Sequence, residues 1–290
     1  MIRILGTTFA ALLGLAFGSF LNVCLSRWPE GESIVHPRSH CRACGRTLAW
    51  WENIPLVSWI ALRGHCRGCG EWISVRYPII EAAVGLLWAT LVWNSADLFL
   101  NVGTLWITTL ALLGSLAFLW LLVALAVLDA EHLWLPDRLT MPGAVAGFLV
   151  FGLSLMLGLL ARATSATSSE IMRALGIRFV EIFVAAAIIL LIRWLYWLMR
   201  RREGMGLGDA KLMAMLAAWL GLPLALLSLF LGVVLGAGVA VVFLLGRSRR
   251  PHGSWAAAKL PLGTFLCIGG IISALWGQQI LSAYLRWAGF

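Results

Sequence analysis

Residues 105–129 read LWITTLALLGSLAFLWLLVALAVLD, and no charge interrupts the run before Asp129 closes it. A helix needs about 20 mostly apolar residues to cross the hydrocarbon of a bilayer. The run is also far longer than the ~10-residue alternating segments of an outer-membrane barrel. It reads as a transmembrane helix. Similar runs at 4–26, 77–94, 104–129, 140–160, 176–199, 209–221, 223–245 and 260–285 predict an all-α, polytopic transmembrane helical bundle of about eight spans. The count drops to seven if 209–245 divides differently, because the first helix of that pair is short and Gly221-Leu222-Pro223 must act as a tight turn. Composition agrees: 61% hydrophobic and 12% charged residues, with mean hydropathy +0.91, exclude an ordinary soluble domain.

The formal charge of +9 would suit a nucleic-acid partner, but topology explains it better. With the amino terminus outside, every basic residue except Arg3, Arg162, Arg173, Arg178 and Arg286 falls on the cytoplasmic side. The expectation is a multi-pass inner-membrane protein in contact with lipid and not with nucleic acid. Ile4 to Cys24 lacks a small-residue cleavage site and reads as a retained span rather than a signal peptide. The long 27–76 loop and the 130–139, 200–208 and 246–259 connections are cytoplasmic. The Ser/Thr-rich stretch 163–169 reads as an external loop and is the one low-complexity patch; no internal repeat is read. The expected domains are a first helix at 1–26, a soluble module at 27–76 and a membrane core at 77–290.

Within the soluble module, Cys41-x-x-Cys44 is followed by Cys66-x-x-Cys69. Two such hooks have the spacing of a four-thiolate zinc site, with Gly45, Gly68 and Gly70 supplying backbone freedom. Disulfides are disfavoured in a reducing cytoplasm, and a redox pair leaves the second hook unexplained. A loop so poor in aliphatic residues draws its folding energy from the metal. His40 and His65 precede the hooks, but four thiolates already close a tetrahedron. Cys24 and Cys267 sit in spans and read as packing residues.

Carboxylates gather at the inner face. They are Asp129, Asp137 in Leu135-Pro136-Asp137, and Asp209 in Gly206-Leu207-Gly208-Asp209-Ala210-Lys211. An ionisable group in or beside a span is a functional candidate. Asp137 is placed to cap the following helix, and Asp209 could cap its own. Asp129 ends a helix, where the macrodipole disfavours an anion, so capping does not explain it. Two aspartates on separate helices can share one proton, the ionised one drawing a proton from water and the neutral one polarising a peptide carbonyl. Gly206 and Gly208 would let a substrate strand approach beside Asp209. Glu81 and Glu181 read as partners for Arg76 and Arg178, or as interfacial residues that snorkel.

These residues resemble the bacterial prepilin peptidases, bifunctional leader peptidases and N-methyltransferases with a GxGD-type aspartate pair. The stretches that carry the resemblance are Gly18-Ser-Phe-Leu-Asn-Val23, Pro37-Arg-Ser-His-Cys41, Trp51-Glu-Asn-Ile-Pro55, Cys66-Arg-x-Cys69, Ser74-Val-Arg-Tyr-Pro78 with Glu81, Asp129 with Leu135-Pro136-Asp137, Gly206-x-Gly-Asp209-x-Lys-Leu212, and Pro261-x-Gly263. The resemblance implies that Asp129 and Asp209 are the catalytic pair, with Gly206, Gly208, Lys211 and Asp137 as support. It implies cleavage of the basic leader of a prepilin or pseudopilin after a Gly, then methylation of the new amino terminus with S-adenosylmethionine. No Rossmann-type glycine loop marks a cofactor site; Gly18 to Asn22 and the cysteine loop are the first places to look. Arg42-Ala43 fills the first hook where the family often has Pro-His, Thr264 stands where Pro is usual, and the 161–175 loop looks long. A transporter would want its polar groups near the midplane, and a zinc-bearing scaffold leaves Asp129 and the GxGD stretch unexplained.

Overall fold

The computed structural model describes residues 1–95, 105–161, 168–201, 206–247 and 261–289. Lys259 and most of the 163–169 stretch lie outside them. The helices are α1 (Ile2–Arg27), α2 (Val57–Ala61), α3 (Arg76–Ser95), α4 (Leu105–His132), α5 (Asp137–Ala161), α6 (Ser168–Arg200), α7 (Leu207–Leu220), α8 (Leu222–Arg247) and α9 (Leu262–Trp287), with a 3₁₀ turn at Trp50–Asn53. All eight helices read from the sequence are present. Seven of them are long and apolar enough to cross a membrane. The exception is α7, whose 14 residues reach only roughly 21 Å against the roughly 30 Å of hydrocarbon.

The chain divides into two compact units, Met1–Leu100 and Asn101–Phe290. In the first, α1 packs along α3 through small residues. A Cβ on Gly14 would fall 2.9 Å from the Gly85 Cα, and one on Gly18 would fall 2.7 Å from the Glu81 Cα. Both distances are shorter than real side-chain contacts allow, so glycine is what lets these backbones meet.

In the second unit the shortest helix is the most enclosed. Leu212, Met213, Met215, Leu216, Ala217 and Ala218 of α7 are all fully buried, packed with Phe118, Leu122 and Leu125 of α4 and with Leu266 of α9. A helix shielded by protein need not match the bilayer thickness, which is why α7 can be short. Trp219 locks it in place: its ring stacks on Phe118 at 4.9 Å, and its Nε1 donates to the Gly143 carbonyl at 2.8 Å.

The far end of α7 is closed by Arg178 of α6, whose Nη1 donates to the Ala217 carbonyl at 3.1 Å. The guanidinium also lies over Phe151 at 4.1 Å and pairs with Glu181 at 3.5 Å, the partner expected from sequence. Gly221 makes the turn with φ +83°, and a side chain there would meet Arg178 Nη1 at 2.9 Å. Glu81 does not pair as read: its carboxylate accepts the Leu56 amide at 2.8 Å.

Candidate functional site

Asp129 lies in the last turn of α4 and is buried, with 6% of its surface exposed. The helix ends three residues later at His132, and the next residue, Leu133, takes a left-handed φ of +50° while its N–H still bonds the Asp129 carbonyl at 2.9 Å. Such a conformation costs a non-glycine residue on the order of 1–3 kcal/mol. It turns the chain so that Leu135 enters between Gly208 and Gly263: a Cβ on Gly208 would fall 3.0 Å from the Leu135 Cβ, and one on Gly263 would fall 2.8 Å from its Cδ1. The open backbone expected at Gly208 is therefore occupied by Leu135. Gly206 is the more open of the two, since a Cβ there would meet nothing closer than 3.8 Å.

The Asp129 carboxylate does have a structural use. Its Oδ2 accepts the Thr264 N–H at 2.7 Å and lies 3.2 Å from Thr264 Oγ1, and the Gly263 N–H bonds the carboxylate as well. Gly263 and Thr264 form the first turn of α9, where amides have no partner within the helix. Pro261, at the cap position, offers no side-chain cap. Asp129 thus caps α9 from across the unit, which corrects the inference that capping could not account for it.

Asp209 sits at the third position of α7, buried, and accepts the Gly206 N–H at 3.3 Å, one half of a capping box whose other half glycine, without a side chain, cannot supply. It is close enough to Asp129 for their charges to interact, and both act on the buried Cys267 in α9. Asp129 thus lies against the first turn of α9 and Asp209 in the first turn of α7, at the amino ends of two helices that pack on one another. Helix amino termini carry partial positive charge, which favours an anion at this point.

Asp137 is the first helical residue of α5 rather than its cap. Its Oδ1 accepts from Lys211 Nζ at 2.6 Å, an ion pair whose carboxylate is largely exposed. The pair joins the first turn of α5 to the second turn of α7. Thr264, Leu135 and Cys267 were not among the site residues read from sequence. Thr264 stood out only as a departure from a usual proline, and its partner lies 135 positions away.

In the first unit the four expected thiols converge. The sulfurs of Cys41, Cys44, Cys66 and Cys69 all lie within 4.8 Å of one another, and those of Cys41 and Cys69 are 3.8 Å apart. The two hooks are copies of one turn. In each, the glycine after the second cysteine donates to the carbonyl of the first (Gly45 to Cys41, Gly70 to Cys66, both 2.9 Å) with φ near +70°. In each, an isolated bridge follows, His40 with Thr47 and His65 with Trp72. The sequence His-Cys-Arg-x-Cys-Gly occurs at 40–45 and again at 65–70, an internal repeat that the reading of the sequence overlooked. His40 and His65 turn their Nδ1 atoms to the carbonyls of Arg38 and Arg63, and the group of converging ligand atoms consists of the four cysteine sulfurs without them.

Backbone N–H groups of Cys69 and Gly68 hold the Cys66 thiol down to about 6. Against an N–H from Glu71, desolvation and the neighbouring sulfurs of Cys44, Cys66 and Cys41 push Cys69 up to about 12. Four clustered thiols cannot all ionise on their own; a cation among them would allow it. Beside them, Arg46 Nη2 donates to the buried Glu52 at 2.6 Å, and Glu52 also accepts the Ala49 N–H at 2.8 Å. A cavity of about 760 Å³ adjoins the knuckles, bounded by the end of α1 and the start of α3.

The sequence profile of the bacterial peptidase A24 N-terminal domain matches residues 12–95, and that of the type IV leader peptidase family matches residues 116–241. The chain is 33% identical over 302 residues to a prepilin leader peptidase/N-methyltransferase of Stutzerimonas stutzeri, and 35% identical over 302 residues to one of Pseudomonas aeruginosa. Each alignment covers 96% of this chain and 93% of the relative. A relative of the same description from Aeromonas hydrophila is 34% identical, with 94% and 92% covered. No solved structure matches.

Proposed function

This chain belongs to the type IV leader peptidase family, and from that premise we propose that it cleaves the leader of prepilins or pseudopilins with Asp129 and Asp209 and then methylates the new amino terminus. What supports the peptidase reading is that two buried carboxylates lie at the amino ends of α7 and α9, near enough for their charges to interact. Like charges so placed share one proton. The ionised carboxylate removes a proton from water as the water oxygen attacks the scissile carbonyl carbon; the neutral one donates to the carbonyl oxygen. The cut follows a Gly and takes place at the cytoplasmic face, with a basic leader on the substrate and the amino terminus of this chain in the periplasm.

Since both aspartates also cap helices, the test must separate chemistry from folding. Asp129→Asn keeps an oxygen for the Thr264 N–H, and Asp209→Asn keeps one for Gly206. Each variant should retain its thermal stability in detergent and lose at least about 10²-fold in prepilin cleavage, the scale of acid–base catalysis. Normal cleavage by either variant would reduce that aspartate to a cap.

Cys41, Cys44, Cys66 and Cys69 hold a structural Zn²⁺. Tetrahedral zinc with Zn–S near ~2.3 Å requires sulfurs roughly 3.8 Å apart, the separation of Cys41 and Cys69. Elemental analysis of never-chelated protein should give one zinc per chain. For the methyl transfer, S-adenosylmethionine supplies an activated methyl group to the substrate amine. The residues beside the knuckles suit it, since the cavity there lies within the roughly 300–1,000 Å³ range of ligand sites and has buried acceptors in its wall.

A further inference from the structure

Resting on the methyltransferase reading above, we infer that the cavity bounded by the end of α1, the cysteine knuckles and the start of α3 binds S-adenosylmethionine, with Asn22 and Glu81 as its polar anchors. Asn22 is 2% exposed and lines the cavity. Its Nδ2 donates to the Tyr77 carbonyl at 3.0 Å, which fixes the amide, while its Oδ1 is buried without a hydrogen-bond partner. Buried acceptors are satisfied in native proteins, so an orphan at a cavity wall marks a place for a ligand donor.

Glu81 lines the same cavity and is 8% exposed. Its donors are the Leu56 N–H at 2.8 Å and the Ser19 hydroxyl, both uncharged. Leu56 presents that N–H from a φ of +60°, a conformation that persists in a non-glycine residue only where its surroundings impose it. The approach of Gly18 to the Glu81 Cα brings α1 and α3 together and sets Asn22 and Glu81 on one wall.

Aromatic surface lines the remainder. Trp59 is held by its Nε1 bond to the Ile73 carbonyl at 3.0 Å and by the edge of Trp72 at 6.1 Å. A buried carboxylate, an orphan acceptor and indole faces in one cavity suit a ligand that combines cationic centres with an aromatic base. S-adenosylmethionine carries a sulfonium, an ammonium and an adenine. Metal binding does not use these groups, since the four sulfurs converge on one another. The aspartate pair does not use them either, because it belongs to the other unit.

The test uses the full-length, zinc-loaded protein in detergent and S-adenosylhomocysteine as the calorimetric probe. The wild-type chain should bind one equivalent. Asn22→Ala and Glu81→Gln should each weaken binding at least tenfold with zinc content and melting temperature unchanged. Wild-type affinity in both variants would overturn the site while leaving the methyltransferase reading intact. No binding to the wild-type chain, in protein that still cleaves prepilin, would overturn that reading and the site with it. Should the variants misfold, photo-crosslinking of an azido analogue to the wild-type chain decides instead: label in peptides from 19–81 supports the site, and label confined to 105–289 refutes it.

Discussion

Thr264 shows how a single residue can tie the two halves of a site together. Its hydroxyl has one proton and two acceptors, the Ala126 carbonyl at 3.0 Å and Asp129 Oδ2 at 3.2 Å. The proton can turn to the carboxylate when Asp129 is ionised and to the carbonyl when it is not, while the Thr264 N–H holds Oδ2 in both states. A proline at 264, usual in the family, could offer neither donor. Thr264→Val keeps the N–H and removes the hydroxyl. It should slow prepilin cleavage by roughly tenfold, the worth of about 1.5 kcal/mol for a hydrogen bond to a charged group. The measurement is kcat against Thr264→Ser, which should stay near the wild-type rate; equal rates for the Val and Ser variants would leave the hydroxyl a bystander. The aspartates themselves were legible in the sequence because a charge after so long an apolar run is costly. The capping of α9 by Asp129 was not, because a helix amino terminus so distant in sequence leaves no local trace.

At the scale of elements, apolar runs located every long helix, because lipid leaves the backbone no other way to satisfy its hydrogen bonds. They failed where a helix is not apolar. The first turns of α6 carry Glu170 and Arg173, so the helix begins at Ser168 and not near 176. The turn before α8 rests on Gly221, and Gly221→Ala should destabilise the protein by about 1–3 kcal/mol, from an L side chain at φ +83° pressed against Arg178. Thermal unfolding in detergent measures it, and an unchanged melting temperature would show that the turn relaxes freely. In the knuckle module, the Arg46 bond first and the Ala49 N–H second hold the Glu52 carboxyl below its ordinary value of 4.5. A lowered folded-state value means that Glu52 stabilises the module above that pH and that its contribution fades as the pH falls further. Glu52→Gln should therefore release zinc to a chelator faster than wild type at pH 7. The difference should shrink as the pH is lowered through the ordinary carboxylate range; a gap that stays constant with pH would point to packing rather than charge.

For the whole molecule the open question is what a short α7 does to topology. Seven crossing helices, taken as a bare count from a periplasmic amino terminus, would leave the carboxyl terminus in the cytoplasm. The turn at Gly221 argues otherwise, because α7 and α8 follow one another through it in opposite directions and return the chain to the side it left. The depth of that turn can be gauged against α6. Arg178, which caps α7 beside Gly221, stands 22 residues from Arg200, roughly 33 Å of helix and about the thickness of the hydrocarbon. With Arg200 at the cytoplasmic face, the turn lies near the far interface, and α8 has a full membrane to recross. On the proposed orientation the chain then enters α9 from the cytoplasm and ends in the periplasm, with Arg286 outside, the side that the distribution of basic residues favours. A carboxyl-terminal alkaline phosphatase fusion should be active and the matching fluorescent-protein fusion dark, while a cysteine introduced at Ser33 should resist an impermeant reagent until the inner membrane is opened. A fluorescent, phosphatase-silent carboxyl terminus would mean that α7 and α8 do not return the chain to the cytoplasm, and would move the amino end of α9, and Asp129 with it, to the opposite face from the one proposed.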